Sequence, residues 1–354
     1  MTRILIIKTG ALGDVLRTTS ILPGLAVRFP DLQITWLTAH GARRLVERHA
    51  LVDTVLGVDP KDSAEIERVG AELLEQSFDW VLSLDDEKPF CRLASAQAGA
   101  RLSGAFIDEQ GRRDYTQDVA PWFDMGLLSH LGKDSADRLK IVNEESHPAI
   151  FARMFGVDMG QPDLGLSLGE VEGAKAFFES HGLNDGHPVI GLNTGAGGRW
   201  TSKTMDVAEV VNCMQVLHRS LAGQCHFLIL GGVAEAVRNQ EIMLRASSLG
   251  EDVDVIDGGD DNTLGAFAAL VDRLQLLISS DSLAMHMAVA RCRPVVAFFA
   301  PTSAAEIELY GLGEKVISTS PDYCSYQKDA DNSSITGKRV AEAALRALGQ
   351  ESVA

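Results

Sequence analysis

The chain has 354 residues, with 49 Asp and Glu against 32 Lys and Arg and a formal net charge of −17. A hydrophobic fraction of 45% excludes a wholly disordered chain, and the length suggests two domains that each bury their own core. We find no apolar run near the ~18 residues that a membrane-spanning helix needs, and the acidic balance argues against a general nucleic-acid-binding protein. Five scattered cysteines without a CxxC pair fit a reducing, cytoplasmic compartment.

The first part of the chain alternates short apolar strands with helices. The aliphatic run 4–7 predicts a buried first strand rather than a signal peptide, and the apolar spacing over 15–29 predicts a helix. Strict alternation implies parallel strand pairing and a doubly wound α/β sheet. Further strands are predicted over 33–37, 54–58 and 80–84, helices over 42–49 and 64–76, and loops with short helices over 105–150.

The segment 156–169 is rich in Gly, Asp and Pro and is the best linker candidate. The alternation restarts after it, so we expect a second doubly wound domain and a ligand cleft at the carboxyl ends of the strands. Strands are predicted over 189–192, 226–230, 253–256, 276–278 and 295–299, and helices over 207–221, 234–247, 264–271, 282–290 and 334–348.

A glycine-bearing turn follows the first strand. Gly10 and Gly13 let the backbone turn tightly and present amides to a ligand at a helix N-terminus. Asp14 is open to two interpretations, a helix N-cap that contributes ~1 kcal/mol or a carboxylate that projects into the cleft as a general base. The turn matches neither GxGxxG nor Walker A, which disfavours a dehydrogenase.

A second turn, over 193–203, combines flexible backbone, hydroxyl groups and two cations. Thr194, Gly195, Arg199 and Lys203 together suit a phosphate or pyrophosphate. The alternative is a mobile loop without a ligand.

A third turn, over 279–286, places Asp281 and Ser282 at a helix N-terminus, which favours an anion. The alternatives are an ordinary N-cap for Asp281 and a hydrogen-bonded structural histidine for His286. The turn Gly231-Gly232, with Glu235 at the helix start, is a weaker signal. No GxSxG motif is present, and the nine histidines show no paired spacing, so neither a catalytic triad nor a metal site is predicted.

Together these turns resemble the family 9 glycosyltransferases, which include the ADP-heptose:lipopolysaccharide heptosyltransferases. Residues 4–16 are similar to the family's N-terminal strand, loop and Gly-Asp, and 276–302 to its Asp-Ser/Thr-Gly-x-x-His signature. Gly231-Gly232 with Glu235 is similar to its Gly-Gly-x-x-Glu turn. The resemblance covers nearly the whole chain and implies a GT-B fold, with Rossmann-like domains over 1–160 and 170–333 and a last helix over 334–354 that crosses back to the first domain.

The resemblance also implies a reaction, the metal-independent, inverting transfer of a sugar onto a lipopolysaccharide or other cell-envelope glycan, with ADP-heptose as the expected donor and no cofactor. Asp14 is expected to remove the acceptor proton, and Lys203 to neutralise the leaving diphosphate. We expect a cytoplasmic enzyme with a lipid-linked or oligosaccharide acceptor, at most peripheral contact at the inner face of the membrane, and no nucleic-acid partner. The further substrate-binding residues implied are Gly10, Gly13, Thr194, Gly195, Arg199, Gly231, Gly232, Asp281, Ser282 and His286.

Four departures from the family pattern leave details open. Leu283 and Ala300 stand where the family has Gly, Lys203 is not followed by Trp-Pro, and the C-terminal cysteine segment is reduced to Cys324. The donor sugar and base therefore stay open, as does whether Arg199 shares or replaces the role of Lys203. Because the first 160 residues are acidic, a less anionic acceptor is also consistent with the sequence.

Two other functions compete with this one. A nucleotide-sugar epimerase on the same fold needs further carboxylates in the cleft, for which Asp281, Glu306 and Glu308 are candidates. A non-catalytic homologue that binds a nucleotide sugar is the other alternative; Leu283 favours it, whereas the intact Asp14 and Lys203 oppose it.

Overall fold

The structure, a computed structural model, describes residues 1–126, 128–197, 200–248, 250 and 253–349. Its contacts divide the chain into an N-terminal unit, Met1–Gly165, and a C-terminal unit, Leu166–Ala354. The division falls inside the segment 156–169, where Gly and Pro interrupt both helical and strand periodicity. No helix in the described ranges has the length and apolarity needed to cross a membrane.

The N-terminal unit is an α/β sheet with helices between its strands. Its strands are β1 (Thr2–Ile7), β2 (Leu32–Ala39), β3 (Thr54–Val58), β4 (Trp80–Ser83), β5 (Arg101–Ile107) and β6 (Arg113–Tyr115), and its helices are α1 (Leu12–Thr18), α2 (Leu22–Arg28), α3 (Ser63–Leu74), α4 (Lys88–Ser95), α5 (Ala120–Phe123), α6 (Lys133–Val142) and α7 (His147–Phe155).

The strand order is β3-β2-β1-β4-β5-β6, parallel except for β6. The chain winds outward in both directions from β1, so the carboxyl ends of β1 and β4 border the switch point where such sheets bind ligands. The aliphatic run 4–7 is fully buried in β1, which explains why its pattern is continuous rather than alternating.

Several elements differ from their sequence predictions. The helix predicted over 15–29 is divided into α1, a 3₁₀ turn over Thr19–Ile21, and α2. Pro23 lacks a backbone N–H and fits only the first turn of a helix, so a new helix begins beside it. The helix predicted over 42–49 is a 3₁₀ turn over His40–Leu45. β5 and β6 form an antiparallel hairpin that extends into the region 105–150, which was predicted to hold loops and short helices. Helix α4 was not predicted either.

The C-terminal unit repeats this architecture. Its strands are β7 (Val189–Asn193), β8 (His226–Leu230), β9 (Asp254–Asp257), β10 (Leu276–Ser280), β11 (Val295–Phe299) and β12 (Gly313–Ile317), and its helices are α8 (Leu168–Ser180), α9 (Val207–Ser220), α10 (Ala236–Ala246), α11 (Leu264–Val271), α12 (Leu283–Ala290) and α13 (Gly337–Ala347).

All six strands of this unit are parallel, in the order β12-β11-β10-β7-β8-β9. The switch point lies between β7 and β10. Two doubly wound α/β units therefore confirm the predicted fold class, while α8 and β12 are additions that the sequence pattern had not indicated.

The last helix, α13, packs against α9 inside the C-terminal unit. The buried apolar faces of the two helices include Val210, Met214, Val340 and Ala344. Gly337 permits close approach, because a Cβ there would lie 2.2 Å from the carbonyl oxygen of Glu209. These contacts group α13 with the C-terminal unit, so its return to the N-terminal domain stays a prediction.

Candidate functional site

The loops after β7 and β10 are joined by a side-chain network at the switch point of the C-terminal sheet. The amide nitrogen of Asn193, at the end of β7, donates to the carbonyl of Gly195 at 2.8 Å. It also lies 3.1 Å from Ser279 Oγ and 3.2 Å from Ser282 Oγ, and those two hydroxyls are 2.9 Å apart. The sequence named Ser282 but not Asn193 as a binding residue, because only the strand order makes β7 and β10 neighbours.

This network leaves the start of α12 without a side-chain cap. Ser282 is the N-cap residue, but its hydroxyl contacts Asn193 and Ser279 rather than its own helix. The first amides of α12 and the positive end of its dipole therefore suit an anion. Leu283 is the half-buried first residue of α12. The interpretation of Asp281 as the N-cap is wrong, since Asp281 precedes the cap.

Lys203 is held beside this helix terminus by Asp281. Its Nζ donates to Asp281 Oδ2 at 2.8 Å and to the Asp281 carbonyl at 3.0 Å. In the described part of the chain these two bonds use two of its three N–H donors, which leaves one for a ligand. His286 lies one helical turn further on, 8% exposed, with Nε2 3.9 Å from Asp281 Oδ1. The structure thus brings Lys203, Asp281, Ser282 and His286 together.

The short turn that carries Lys203 is anchored from the distant segment 327–332. Ser202 Oγ donates to the Lys328 carbonyl at 2.9 Å, and Asn332 Nδ2 donates to the Thr204 carbonyl at 2.6 Å. These two hydrogen bonds fix the backbone that carries Lys203 and so help to position its ammonium group. Sequence reasoning missed Asn332, since nothing local to it indicates the contact.

Glu235 organises the glycine turns of this unit. Its carboxylate accepts N–H bonds from Gly197 at 3.1 Å and from Gly232 at 2.9 Å, and the residue is 8% exposed. A Cβ at Gly195 would lie 2.2 Å from Glu235 Cγ, and one at Gly231 would lie 2.9 Å from Glu235 Cβ. These glycines therefore make room for a buried carboxylate that ties the loops after β7 and β8 together.

Thr194 is fixed by α10. Its hydroxyl donates to Asn239 Oδ1, and its carbonyl accepts from Arg238 Nε at 3.1 Å. Burial lowers the pKa of Arg238, against the opposing effect of nearby carboxylates. The predicted phosphate ligand Arg199 lies outside the described residues, so its role stays a prediction.

In the N-terminal unit, Asp14 is the third residue of α1 and does not cap it. The N-cap is Ala11, so the capping interpretation of Asp14 is wrong. The Asp14 side chain is 38% exposed, and its Oδ1 lies 2.8 Å from Nη2 of Arg17, which is largely buried. Gly10 lies in the loop before α1, and Gly13 is the second residue of the helix. A carboxylate that is reachable from solvent is able to accept a proton.

Asp85 supports the loop that precedes Asp14, and the sequence analysis missed it. Lys8 Nζ lies 2.6 Å from Asp85 Oδ1, while the Thr9 hydroxyl donates to Asp85 Oδ2 at 2.7 Å. Ile7 of β1 is paired with Ser83 of β4, so the residues that follow the two strands, Lys8 and Asp85 among them, lie next to each other. Burial opposes the charge on Lys8, but Asp85 and then Asp14 outweigh it and raise the pKa of the ammonium. The acidic run that follows the fourth strand was the available signal.

Comparisons with known proteins show the family and the fold of the chain. The family model for glycosyltransferase family 9 (heptosyltransferase) matches residues 144–335. A solved glycosyltransferase family 9 structure from Veillonella parvula is similar at 21% identity and a TM-score of 0.76, covering 98% of this chain and 97% of that one. No curated protein sequence matches the chain.

Two Escherichia coli structures share the fold. The ADP-heptose lipopolysaccharide heptosyltransferase II is 19% identical with a TM-score of 0.67, covering 98% of both chains. The heptosyltransferase WaaC with ADP-2-deoxy-2-fluoro heptose is 18% identical with a TM-score of 0.59, covering 96% of this chain and 98% of that one. The two Rossmann-like units therefore match GT-B heptosyltransferase structures.

Proposed function

Because the chain belongs to glycosyltransferase family 9, we propose that it transfers a sugar, with inversion, from a nucleoside-diphosphate donor to an acceptor hydroxyl. The observation that carries the proposal is the Lys203 ammonium held beside the uncapped start of α12. We propose an ADP-linked heptose as the donor and lipopolysaccharide or another cell-envelope glycan as the acceptor. The similar E. coli heptosyltransferases support these choices.

The diphosphate binds at the switch point of the C-terminal sheet. The free N–H of Lys203 and the first amides of α12 donate to its oxygens, and Asp281 orients the ammonium. Thr194 and Gly195 line the site on the β7 side, on a loop that Glu235 stabilises. Fixed donors of this kind stabilise negative charge without reorganising as it develops.

Asp14 acts as the general base. Its carboxylate accepts the proton of the acceptor hydroxyl while the hydroxyl oxygen forms a bond to the anomeric carbon from the face opposite the diphosphate. The bond from that carbon to the diphosphate oxygen breaks, and its electron pair leaves with the nucleotide. Lys203 neutralises the charge that appears on the leaving group, so we propose that the transfer needs no metal ion.

We further propose that the reaction takes place in the cytoplasm, with at most peripheral contact at the inner face of the membrane. The sequence supports this, since five scattered cysteines without a CxxC pair fit a reducing compartment.

Calorimetric titration with nucleoside diphosphates tests the donor site. We expect ADP to bind more tightly than UDP or GDP, and Lys203→Ala to weaken ADP binding at least tenfold. Lys328→Ala is the matched control, because Lys328 contacts the Lys203 turn through its backbone carbonyl and not through its side chain. ADP affinity measured in Arg199→Ala shows whether Arg199 shares or replaces the phosphate-binding role of Lys203. Failure of every diphosphate to bind would contradict the proposal.

Turnover of Asp14→Asn tests the base. We expect kcat to fall about 10²- to 10⁴-fold with ADP affinity unchanged, since a neutral amide cannot accept the proton. Asp31→Asn removes an exposed carboxylate elsewhere in the N-terminal unit and serves as the control. Conversion of the donor sugar without any acceptor would instead identify an epimerase, and unchanged kcat in Asp14→Asn would exclude Asp14 as the base.

A further inference from the structure

A cluster of histidine and aspartate side chains lies at the amino ends of the C-terminal strands, away from the carboxyl ends that carry Lys203. Asp185 and His187 belong to the turn before β7, and His226 is the first residue of β8. One ligand atom from each of the three lies within 4.8 Å of the others. The sequence predicted no metal site, because these residues meet only through the strand register.

The geometry around His226 assigns a role to each ring nitrogen. His226 is paired directly with Asp254 of β9, so the two side chains share a face of the sheet. The Nδ1 atom lies 2.5 Å from Asp254 Oδ2, and Nε2 lies 3.0 Å from Asp185 Oδ1. In metal sites the ligating histidine usually donates its other ring N–H to a carboxylate, which fixes the tautomer, and the contact of Nδ1 with Asp254 matches that arrangement.

The two carboxylates that face the His226 ring favour a positive charge at Nε2. A neutral imidazole has one N–H donor, yet both ring nitrogens of His226 face carboxylate oxygens. Without a cation at Nε2, its lone pair would face the lone pairs of Asp185. Either a second proton or a metal ion at Nε2 removes that repulsion.

His187 favours the metal ion over the proton. Its Nδ1 lies 3.2 Å from Asp185 Oδ2, so a second imidazole nitrogen converges on the same carboxylate. Its backbone N–H donates to Asp185 Oδ1 at 2.9 Å, which orients that carboxylate. A proton on His226 has no need of this second ring. Asp185 and His187 are each 41% exposed, so solvent has access to complete the coordination.

We propose that Asp185, His187 and His226 bind a divalent transition-metal ion such as Zn²⁺, with Asp254 as the carboxylate behind His226. Two imidazoles with one carboxylate suit Zn²⁺ or Ni²⁺, whereas Mg²⁺ and Ca²⁺ prefer oxygen ligands alone. The ion would join the turn before β7 to β8, and through Asp254 to β9. The proposal is independent of the sugar-transfer function, with which it shares no residue.

The test uses the untagged full chain, stripped with a chelator and titrated calorimetrically with ZnCl₂. We expect one Zn²⁺ per chain, no competition from excess Mg²⁺, and a higher melting temperature with Zn²⁺, because a ligand that binds only the folded state stabilises it. His187→Ala and Asp185→Asn should each weaken Zn²⁺ binding at least tenfold. X-ray absorption on the zinc complex should report two imidazole ligands.

His40→Ala is the matched control. His40 also lies 3.0 Å from a carboxylate, that of Glu65, but it does not belong to the Asp185, His187 and His226 cluster. Zn²⁺ binding should be unchanged in it. Because His187 is well exposed, His187→Ala should keep the melting temperature of the metal-free protein, which excludes misfolding as the cause of lost binding. Equal binding by His187→Ala and the wild type, or a wild type that binds no Zn²⁺ and holds His226 as an imidazolium, would overturn the proposal.

Discussion

Lys8 and Asp85 form an ion pair, 2.6 Å between Nζ and Oδ1, that is almost completely removed from solvent at the carboxyl ends of β1 and β4. Its side chains are only 12% and 4% exposed. The pair fixes the backbone of the loop that leads to Asp14, since Thr9 also bonds to Asp85 through its hydroxyl and its N–H. It therefore connects the stability of the N-terminal unit to the position of the proposed base.

Asp85→Asn should destabilise the N-terminal unit by about 3–5 kcal/mol, because it removes the bonded counter-charge of the buried Lys8 ammonium. Urea unfolding followed by tryptophan fluorescence measures this. Asp86→Asn, at the neighbouring position, removes a partly exposed carboxylate 3.8 Å from Arg113 and should cost at most about 1 kcal/mol. Equal losses in the free energy of unfolding would show that the buried Lys8–Asp85 pair contributes no more stability than an exposed pair.

Gly195→Ala should displace the loop after β7, because the added Cβ would meet Glu235 Cγ at 2.2 Å. We expect a loss of roughly 1–3 kcal/mol, typical of overpacking, and weaker ADP binding. Gly173→Ala, in α8, meets no atom within 4 Å and is the control. That variant should be stabilised by about 0.5–1 kcal/mol, since Ala is favoured over Gly inside a helix. Calorimetric melting and ADP titration give both quantities.

Glu235→Ala should leave the Gly197 and Gly232 amides without their shared acceptor. Loss of a partner for buried donors costs roughly 1–3 kcal/mol, so the melting temperature should fall. Because both loops border the proposed diphosphate site, ADP affinity should fall as well, whereas Glu241→Ala, an exposed carboxylate on α10, should change neither. Lower stability with unchanged ADP affinity would confine Glu235 to a structural role.

The stability of the N-terminal unit should decrease as the pH falls below about 6.5, because burial lowers the pKa of His49 in the folded state, with only partial opposition from Asp163. Below its unfolded-state pKa, His49 binds a proton more readily in the unfolded chain than in the folded one. The free energy of unfolding is therefore full above the unfolded-state pKa of His49 and decreases as the pH falls toward its folded-state pKa. Urea midpoints between pH 8 and pH 5 measure the slope. His49→Asn should flatten it, since Nδ1 of His49 accepts from Leu51 N–H at 3.2 Å and the Asn amide oxygen can replace this acceptor.

The sequence by itself determined the fold class and the glycine turns that border the site. Continuous aliphatic runs such as 4–7 specify buried parallel strands, and the alternation with helices specifies a doubly wound sheet. The turns that carry Asp14 and Lys203 could also be recognised in the sequence, because each combines glycines with polar or charged residues over a few positions. Local signals placed a helix over 15–29, but the effect of Pro23 on its continuity was missed.

Only the tertiary structure decided how distant residues meet. Asp85 faces Lys8 because β4 pairs with β1, Asn193 reaches Ser282 because β10 pairs with β7, and His226 meets Asp254 because β8 pairs with β9. Strand order depends on how whole elements bury their apolar faces against one another, so no single local segment encodes it. The role of each site side chain depends on those long-range pairings: Asp281 holds a lysine instead of capping a helix, and Glu235 binds two loops.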